Sequence, residues 1–238
     1  MRALAILALV LLSSCDLKER LREKPRPPSV PADAKRDRTS GLWVQTQPTS
    51  IKMYFPEGTI AAEGALVLGM RQGIWSMYSP EGVVLSRGKF VNDFRDGVWE
   101  YNDERGKLYL TMTYAQEPKR ELLTLLTHDY GNENGPYKRY YPDGRLEEEG
   151  RFHAGYFDGP IIRYHPNGRV LLRGQYQKDL MTGRWTYYYP DGTLLREENY
   201  ASGQLDGELR AFHPDGRLYM EARYKAGAIV TGPVLASR

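Results

Sequence analysis

Seven glycines, Gly58, Gly82, Gly106, Gly144, Gly168, Gly192 and Gly216, follow one another at spacings of 24, 24, 38, 24, 24 and 24 residues. A constant period of that length marks a repeat architecture, in which each unit is one supersecondary element that buries its apolar surface by stacking on its neighbours. The odd spacing of 38 is one period plus 14 residues, so a single insertion interrupts the array. Other columns keep the same phase. A second glycine stands nine residues earlier, at Gly73, Gly97, Gly135, Gly159, Gly183 and Gly207, with Thr49 in the degenerate first unit. An aliphatic residue follows the turn glycine by two, from Ile60 to Leu218, and a large residue follows by eight, from Leu66 to Tyr224.

The stretch Gly183–Gly207 shows what one unit is. Two apolar and aromatic runs flank Pro190-Asp191-Gly192, and the unit closes on a glycine-containing loop. That is a β-hairpin followed by a link to the next copy. The proline presets φ and donates nothing to a ladder, and the glycine takes positive φ without steric cost. The second strand alternates: Val170, Leu172, Gly174 and Tyr176 fall on one face, Leu171, Arg173 and Gln175 on the other. A period of two is that of a strand with one face on a core. Gly64, Gly88, Gly150 and Gly174 share an inward column. Glycine weakens a strand interior, so four in a column predict the close approach of an aromatic ring from a neighbour.

These columns resemble the MORN (membrane occupation and recognition nexus) repeat, in the bacterial variant with the pattern Gly-x-Trp-x-x-Tyr-Tyr-x-Asp-Gly-x-Leu-x-x-Glu-x-x-Tyr-x-x-Gly. The resemblance covers roughly residues 42–234 in seven units; the third departs most, with Asn102-Asp103-Glu104-Arg105-Gly106 lacking the proline. It implies an all-β fold, an elongated, twisted antiparallel meander of seven 24-residue hairpins. Many bacterial members of the family carry the label antitoxin, which implies a toxin-neutralising or immunity role as an alternative function.

The N-terminus carries an address. Met1-Arg2 precedes ten apolar residues, Ala3–Leu12, and then Leu12-Ser13-Ser14-Cys15. This is a secretory signal, too short for the roughly 20 residues that span a bilayer. Its end resembles the bacterial lipobox, which implies lipidation of Cys15, the one cysteine of the chain. A lone thiol in an exported protein needs an explanation, and acylation supplies one. The expected localisation is the cell envelope, lipid-anchored to a membrane on the periplasmic side or at the cell surface. Residues 1–15 are read as signal, 16–41 as a Pro- and charge-rich linker, and 42–234 as the repeat domain with its insertion at about 115–134. Residues 16–40 hold eight Lys and Arg against five Asp and Glu, so they carry the whole net charge of +3. The basic run at 18–26 is interrupted by Glu19 and Glu23, so it reads as a solvated spacer able to assist a lipid anchor. No nucleic-acid footprint is expected.

The insertion brings four leucines together, Leu122, Leu123, Leu125 and Leu126. Each is worth about 1.5–3 kcal/mol when fully buried, so they either patch the sheet beside the irregular third unit or dock a partner. No constellation for chemistry stands out. His165 and His213 share a column with Tyr141 and Tyr189, three before the turn glycine, and a base does not alternate with tyrosine down a repeat. His128 and His153 lack carboxylate or cysteine partners at metal-ligand spacing. No nucleophile elbow or phosphate-binding loop is present. Glu147-Glu148-Glu149 and Glu197-Glu198 read as a solvated strand face with cross-strand partners such as Arg173. The expectation is a non-catalytic binding scaffold without cofactor or metal, whose partner is a protein or an envelope polymer. The column Tyr141, His165, Tyr189, His213 is its candidate binding ladder, with members about 9.6 Å apart; the other reading is that the column packs on the previous hairpin.

Overall fold

The computed structural model describes residues 25–115 and 133–235. Cys15, and Leu122, Leu123, Leu125 and Leu126 of the insertion, lie outside the described residues. All regular structure among the described residues is β-strand, and the chain divides into two compact units, Met1–Leu108 and Tyr109–Arg238.

The first unit runs β1 (Lys35–Arg36), β2 (Trp43–Thr46), β3 (Ser50–Tyr54), β4 (Ile60–Val67), β5 (Met70–Tyr78), β6 (Val84–Val91) and β7 (Phe94–Asn102), each antiparallel to the next. The described part of the expected linker, residues 25–41, proves to be part of this fold. Val30 and Ala34 form a buried cluster with Tyr54, with Trp43 and Ile60 packed against it. Two short apolar side chains in a proline-rich, charged segment suffice to cover the end of the meander, and composition alone conceals them.

The second unit runs β8 (Leu108–Tyr114), β9 (Glu133–Tyr140), β10 (Leu146–His153), β11 (Tyr156–Phe157), β12 (Gly159–Tyr164), β13 (Val170–Gln177), β14 (Leu180–Tyr188), β15 (Leu194–Ala201), β16 (Gln204–Leu205), β17 (Gly207–Phe212), β18 (Leu218–Lys225) and β19 (Ala228–Leu235). Neighbours in space are neighbours in sequence: β9 pairs with β8 and β10, and β14 with β13 and β15. The Pro-Asp-Gly turns close as expected. At Gly192 the amide donates to Tyr189 O at 2.8 Å, Tyr189 N donates to Thr193 O at 2.8 Å, and φ is +93°. Asp191 Oδ1 accepts from Thr193 N at 2.8 Å, which accounts for the acid in the turn.

Two expectations change. The second glycine column lies in the strands and not in the links: Gly183 sits inside β14, at φ +64°. The links are two-residue turns, such as Lys178-Asp179 and Ser202-Gly203. Their first residue is at φ 48–52° and their second at 66–82° in six hairpins among the described residues. Positive φ at both central residues is the type I′ form that matches strand twist. The alternation also shifts beside each Pro-Asp-Gly turn. Tyr188 faces Leu194 but Tyr187 faces Arg196, so Leu195 bulges out, and the same step leaves Leu171 unpaired in β13. Directly opposed residues share a face, so Val170, opposite Tyr164, leaves the face of Leu172, Gly174 and Tyr176.

The predicted close approach over glycine is present. A Cβ at Gly64 would stand 2.3 Å from the Trp75 ring, at Gly88 2.3 Å from Trp99, and at Gly174 2.2 Å from Trp185. At Gly150 the ring is Tyr137, at 2.7 Å. Each indole lies flat on a glycine and then meets further rings: Phe90 packs edge-on between Trp75 and Trp99, and Tyr176 edge-on to Trp185 at 5.1 Å. Where the next strand offers Leu209 and not tryptophan, the glycine column holds Glu198 and Ala222.

Candidate functional site

The column Tyr141, His165, Tyr189, His213 turns along the sheet edge and joins one repeat to the next. Tyr141 Oη donates to Tyr164 O at 2.6 Å, and Tyr189 Oη donates to Phe212 O at 3.0 Å. His165 Nε2 stands 2.9 Å from Tyr188 O, so it carries the hydrogen in the bonded tautomer. Each reaches 23 residues forward, onto the following unit. His213 belongs to the last such turn and stays exposed, its ring edge-on to Tyr219 at 5.1 Å. Tyrosine and histidine interchange here because each brings a donor to the backbone carbonyl 23 residues on. The structure therefore gives the column an inter-repeat clamp: it packs, but on the following hairpin and not on the previous one.

An aromatic ladder does line a sheet face, one residue earlier. Tyr140, Tyr164, Tyr188 and Phe212 stand on alternate strands, on the face opposite Trp185, each half-buried. Opposite them are Leu146, Val170, Leu194 and Leu218. The result in the second unit is a stripe of aromatic–aliphatic pairs with rings about 9.6 Å apart. Beside the stripe runs a row of alternating charge, Lys138, Glu149, Ile162, Arg173, Thr186, Glu197, Arg210 and Glu221, each opposite the next across the sheet. The sequence signal for both was present. Tyr140, Tyr164 and Tyr188 recur with the 24-residue period, and the bulge beside the turn sets which face they take.

Stripe and row meet in a cleft of about 400 Å³ lined by Arg173, Arg184, Thr186, Tyr188, Leu194 and Glu197. Strands β13, β14 and β15 set Arg173, Thr186 and Glu197 side by side. Glu197 is shared by Arg184 and, at 3.8 Å, by Arg210. Arg173 has no carboxylate partner among the described residues; its guanidinium lies 5.4 Å from the centre of the Tyr188 ring. Thr186 is 8% exposed and its hydroxyl has no hydrogen-bond partner. An orphaned buried hydroxyl costs about 1–3 kcal/mol, so a protein keeps one where something else requires it.

The acidic pairs need a correction. Glu148 and Glu198 are 3% and 4% exposed and lie on the tryptophan face, away from the solvated row. Glu148 accepts from Tyr137 Oη at 2.8 Å and Arg163 Nε at 2.7 Å, with Arg139 Nη2 at 3.3 Å. Glu198 meets Arg196 Nε at 3.0 Å and Tyr200 Oη at 3.1 Å. Burial, and then the Glu148 carboxylate, push the Tyr137 phenol well above its ordinary range. Buried carboxylates persist only when paired; arginines on the two adjacent strands supply the charge at Glu148, and Arg196 of the same strand supplies it at Glu198. Counting by two from Gly150 places Glu148 inward, a parity that composition overrode. Glu147 and Glu149 keep the solvated role, paired with Arg139 at 3.0 Å and Lys138 at 3.8 Å. Among the described residues no group of three or more His, Asp or Glu side chains is placed to hold a metal ion.

Comparison with known proteins adds the family. The model of the MORN repeat variant matches four stretches, residues 95–116, 133–154, 181–202 and 205–226. The irregular third unit is among them, and the unit of β12 and β13 is matched only by its geometry. No curated protein matches the chain in sequence. Among solved structures, the chain is similar at 17% identity to the TCP10 domain of Danio rerio CPAP, over 80% of this chain and 99% of that one, with a TM-score of 0.24. It is similar at 12% identity to BamB from Moraxella catarrhalis, over 79% and 75%, with a TM-score of 0.20. A chain of a GtfA/B complex bound to UDP and GlcNAc overlays at 15% identity and a TM-score of 0.22; this chain spans 53% of itself but only 22% of that one. At TM-scores this low none carries an argument about fold or activity. The four matched stretches are MORN repeats of the variant type, and the hairpins beside them keep the same columns.

Proposed function

We propose that the protein is a cell-envelope lipoprotein, tethered through an acylated Cys15, whose repeat array is a non-catalytic scaffold for binding a protein or an envelope polymer. MORN repeats suit a repeat-based binding scaffold. The observation that carries the binding role is the open face of the second unit. There a regular aromatic stripe borders a charged row, and one guanidinium and one buried hydroxyl are left unmatched. The buried hydroxyl costs free energy in the isolated fold and can regain it against a partner, while the exposed guanidinium offers an unclaimed positive charge. The anchor rests on Ala3–Leu12 and Leu12-Ser13-Ser14-Cys15. Two measurements test the reading. Metabolic labelling with an alkyne fatty acid should mark the wild type and not Cys15→Ser; equal labelling overturns the anchor. Pull-down from crosslinked envelopes should recover a membrane-associated polymer or protein. Recovery of nothing removes the scaffold role, and recovery of a toxin replaces it with immunity.

A further inference from the structure

We propose that the cleft across β13, β14 and β15 binds a sugar ring that carries a carboxylate, its apolar face on Tyr188 and Leu194 and its anion on Arg173. The proposal rests on the scaffold reading and names a site and a ligand class within it.

Charge comes first. Among the six residues that line the cleft, Arg173 and Arg184 face one carboxylate, Glu197, and Arg184 already occupies it. Arg173 is left over, exposed, and held by the Tyr188 ring in place of an anion. A guanidinium presents a planar fork that matches a carboxylate with two parallel hydrogen bonds. Opposite it across the strand pair is Thr186, whose unpartnered hydroxyl donates to an oxygen placed on that fork.

The surroundings select a saccharide over an acidic peptide. Strand β14 is paired on both sides, so no backbone groups are free here for a peptide to add as a strand. The charged row alternates donor-only guanidinium with acceptor-only carboxylate, Arg173, Glu197, Arg210 and Glu221, with one strand step of about 4.8 Å between adjacent strands. A sugar hydroxyl both donates and accepts, so neighbouring hydroxyls bridge such a row, whereas the side chains of a polyglutamate chain only accept and leave each Glu of the row without a donor. Tyr188 and Leu194 form the apolar wall that the C–H face of a pyranose requires. The volume of about 400 Å³ falls in the range of small-ligand sites and holds a short oligosaccharide.

Titration calorimetry of the full chain tests this with three probes: tetragalacturonate, the neutral tetrasaccharide of galactose, and a hexaglutamate peptide. Tetragalacturonate is expected to bind saturably, at least about 10-fold tighter than the neutral sugar, and to weaken as salt rises. Arg173→Gln should cost about 10-fold in affinity and Thr186→Val about 3- to 10-fold. Arg145→Gln, an exposed change beside Asp143, should leave affinity alone. Circular dichroism melts certify that each variant is folded. Absence of saturable binding, equal affinity of folded Arg173→Gln, or a peptide that binds as tightly as the acidic sugar overturns the proposal. If tetragalacturonate fails while envelope pull-down still recovers a partner, the ligand class falls and the scaffold reading stands; if both fail, both fall.

Discussion

Replacing Gly174 by alanine is the sharpest probe of how these hairpins pack. The added methyl would stand 2.2, 2.3 and 2.6 Å from three ring atoms of Trp185, where carbon pairs prefer about 3.5–4.0 Å. The ring must therefore lift by more than an ångström. It has little room, being 3% exposed and wedged against Tyr176 at 5.1 Å and Tyr200 at 6.3 Å. Overpacking of this kind costs about 1–3 kcal/mol. Loss of unfolded-chain freedom returns about 0.4–1 kcal/mol, which leaves a net destabilisation of about 1–2 kcal/mol. Trp185→Leu removes the obstacle, since the ring atoms that the new methyl would meet all belong to the indole. A double-mutant cycle read by urea unfolding should give Gly174→Ala and Trp185→Leu a favourable coupling of at least about 1 kcal/mol. Additive losses, or a Gly174→Ala variant as stable as wild type, would refute the stacking argument.

Glu148→Gln should destabilise by about 2–3 kcal/mol in the same assay, below the ~3–5 kcal/mol of a fully buried pair because Arg139 and Arg163 are each 40% exposed and can turn to water. Tyr141→Phe should cost about 1 kcal/mol through the lost 2.6 Å bond to Tyr164 O, while His213→Ala, at the exposed end of the column, should be near neutral. A pH series tests the tyrosine–glutamate bonds. The bond to Glu149, and then burial, raise Tyr164 to about 12 from an ordinary 10.0, and Tyr137 and Tyr200 rise as well. The folded state keeps these protons where the unfolded chain loses them, so this stability is full below pH 10 and declines as pH climbs towards 12. Tyrosinate absorbance should show these three ionising only as the protein unfolds.

How far the sequence carried this account depends on how far each signal was local. The turn column and the glycines under aromatic rings were readable because each needs only a fixed spacing and one steric rule. The face of the tyrosines was not. The bulge at Leu195 and its counterparts shift the alternation by one residue beside each turn, so attention fell on Tyr141 and His165 rather than on Tyr140 and Tyr164. The type I′ links hid because Lys178-Asp179 and Ala154-Gly155 are weaker turn signals than Pro-Asp-Gly. The burial of Glu148 followed from parity but opposed the hydropathy of its neighbours, Glu147 and Glu149. Arg173 could be named as a charged strand residue from sequence. That its neighbours leave it without a carboxylate depends on which strands adjoin and how far each side chain reaches.

The central claim is that each 24-residue unit is an interchangeable hairpin held by its two neighbours, and paired deletions measure this directly. Deleting residues 159–182 removes β12, β13 and the start of β14, and joins Asp158 to Gly183, an equivalent position. Deleting residues 159–170 removes β12 with its turn and reverses the direction of every later strand. Circular dichroism melts should show the 24-residue deletion retaining a β spectrum and a cooperative transition, and the 12-residue deletion losing both. Two deletions that melt alike would contradict the repeat account.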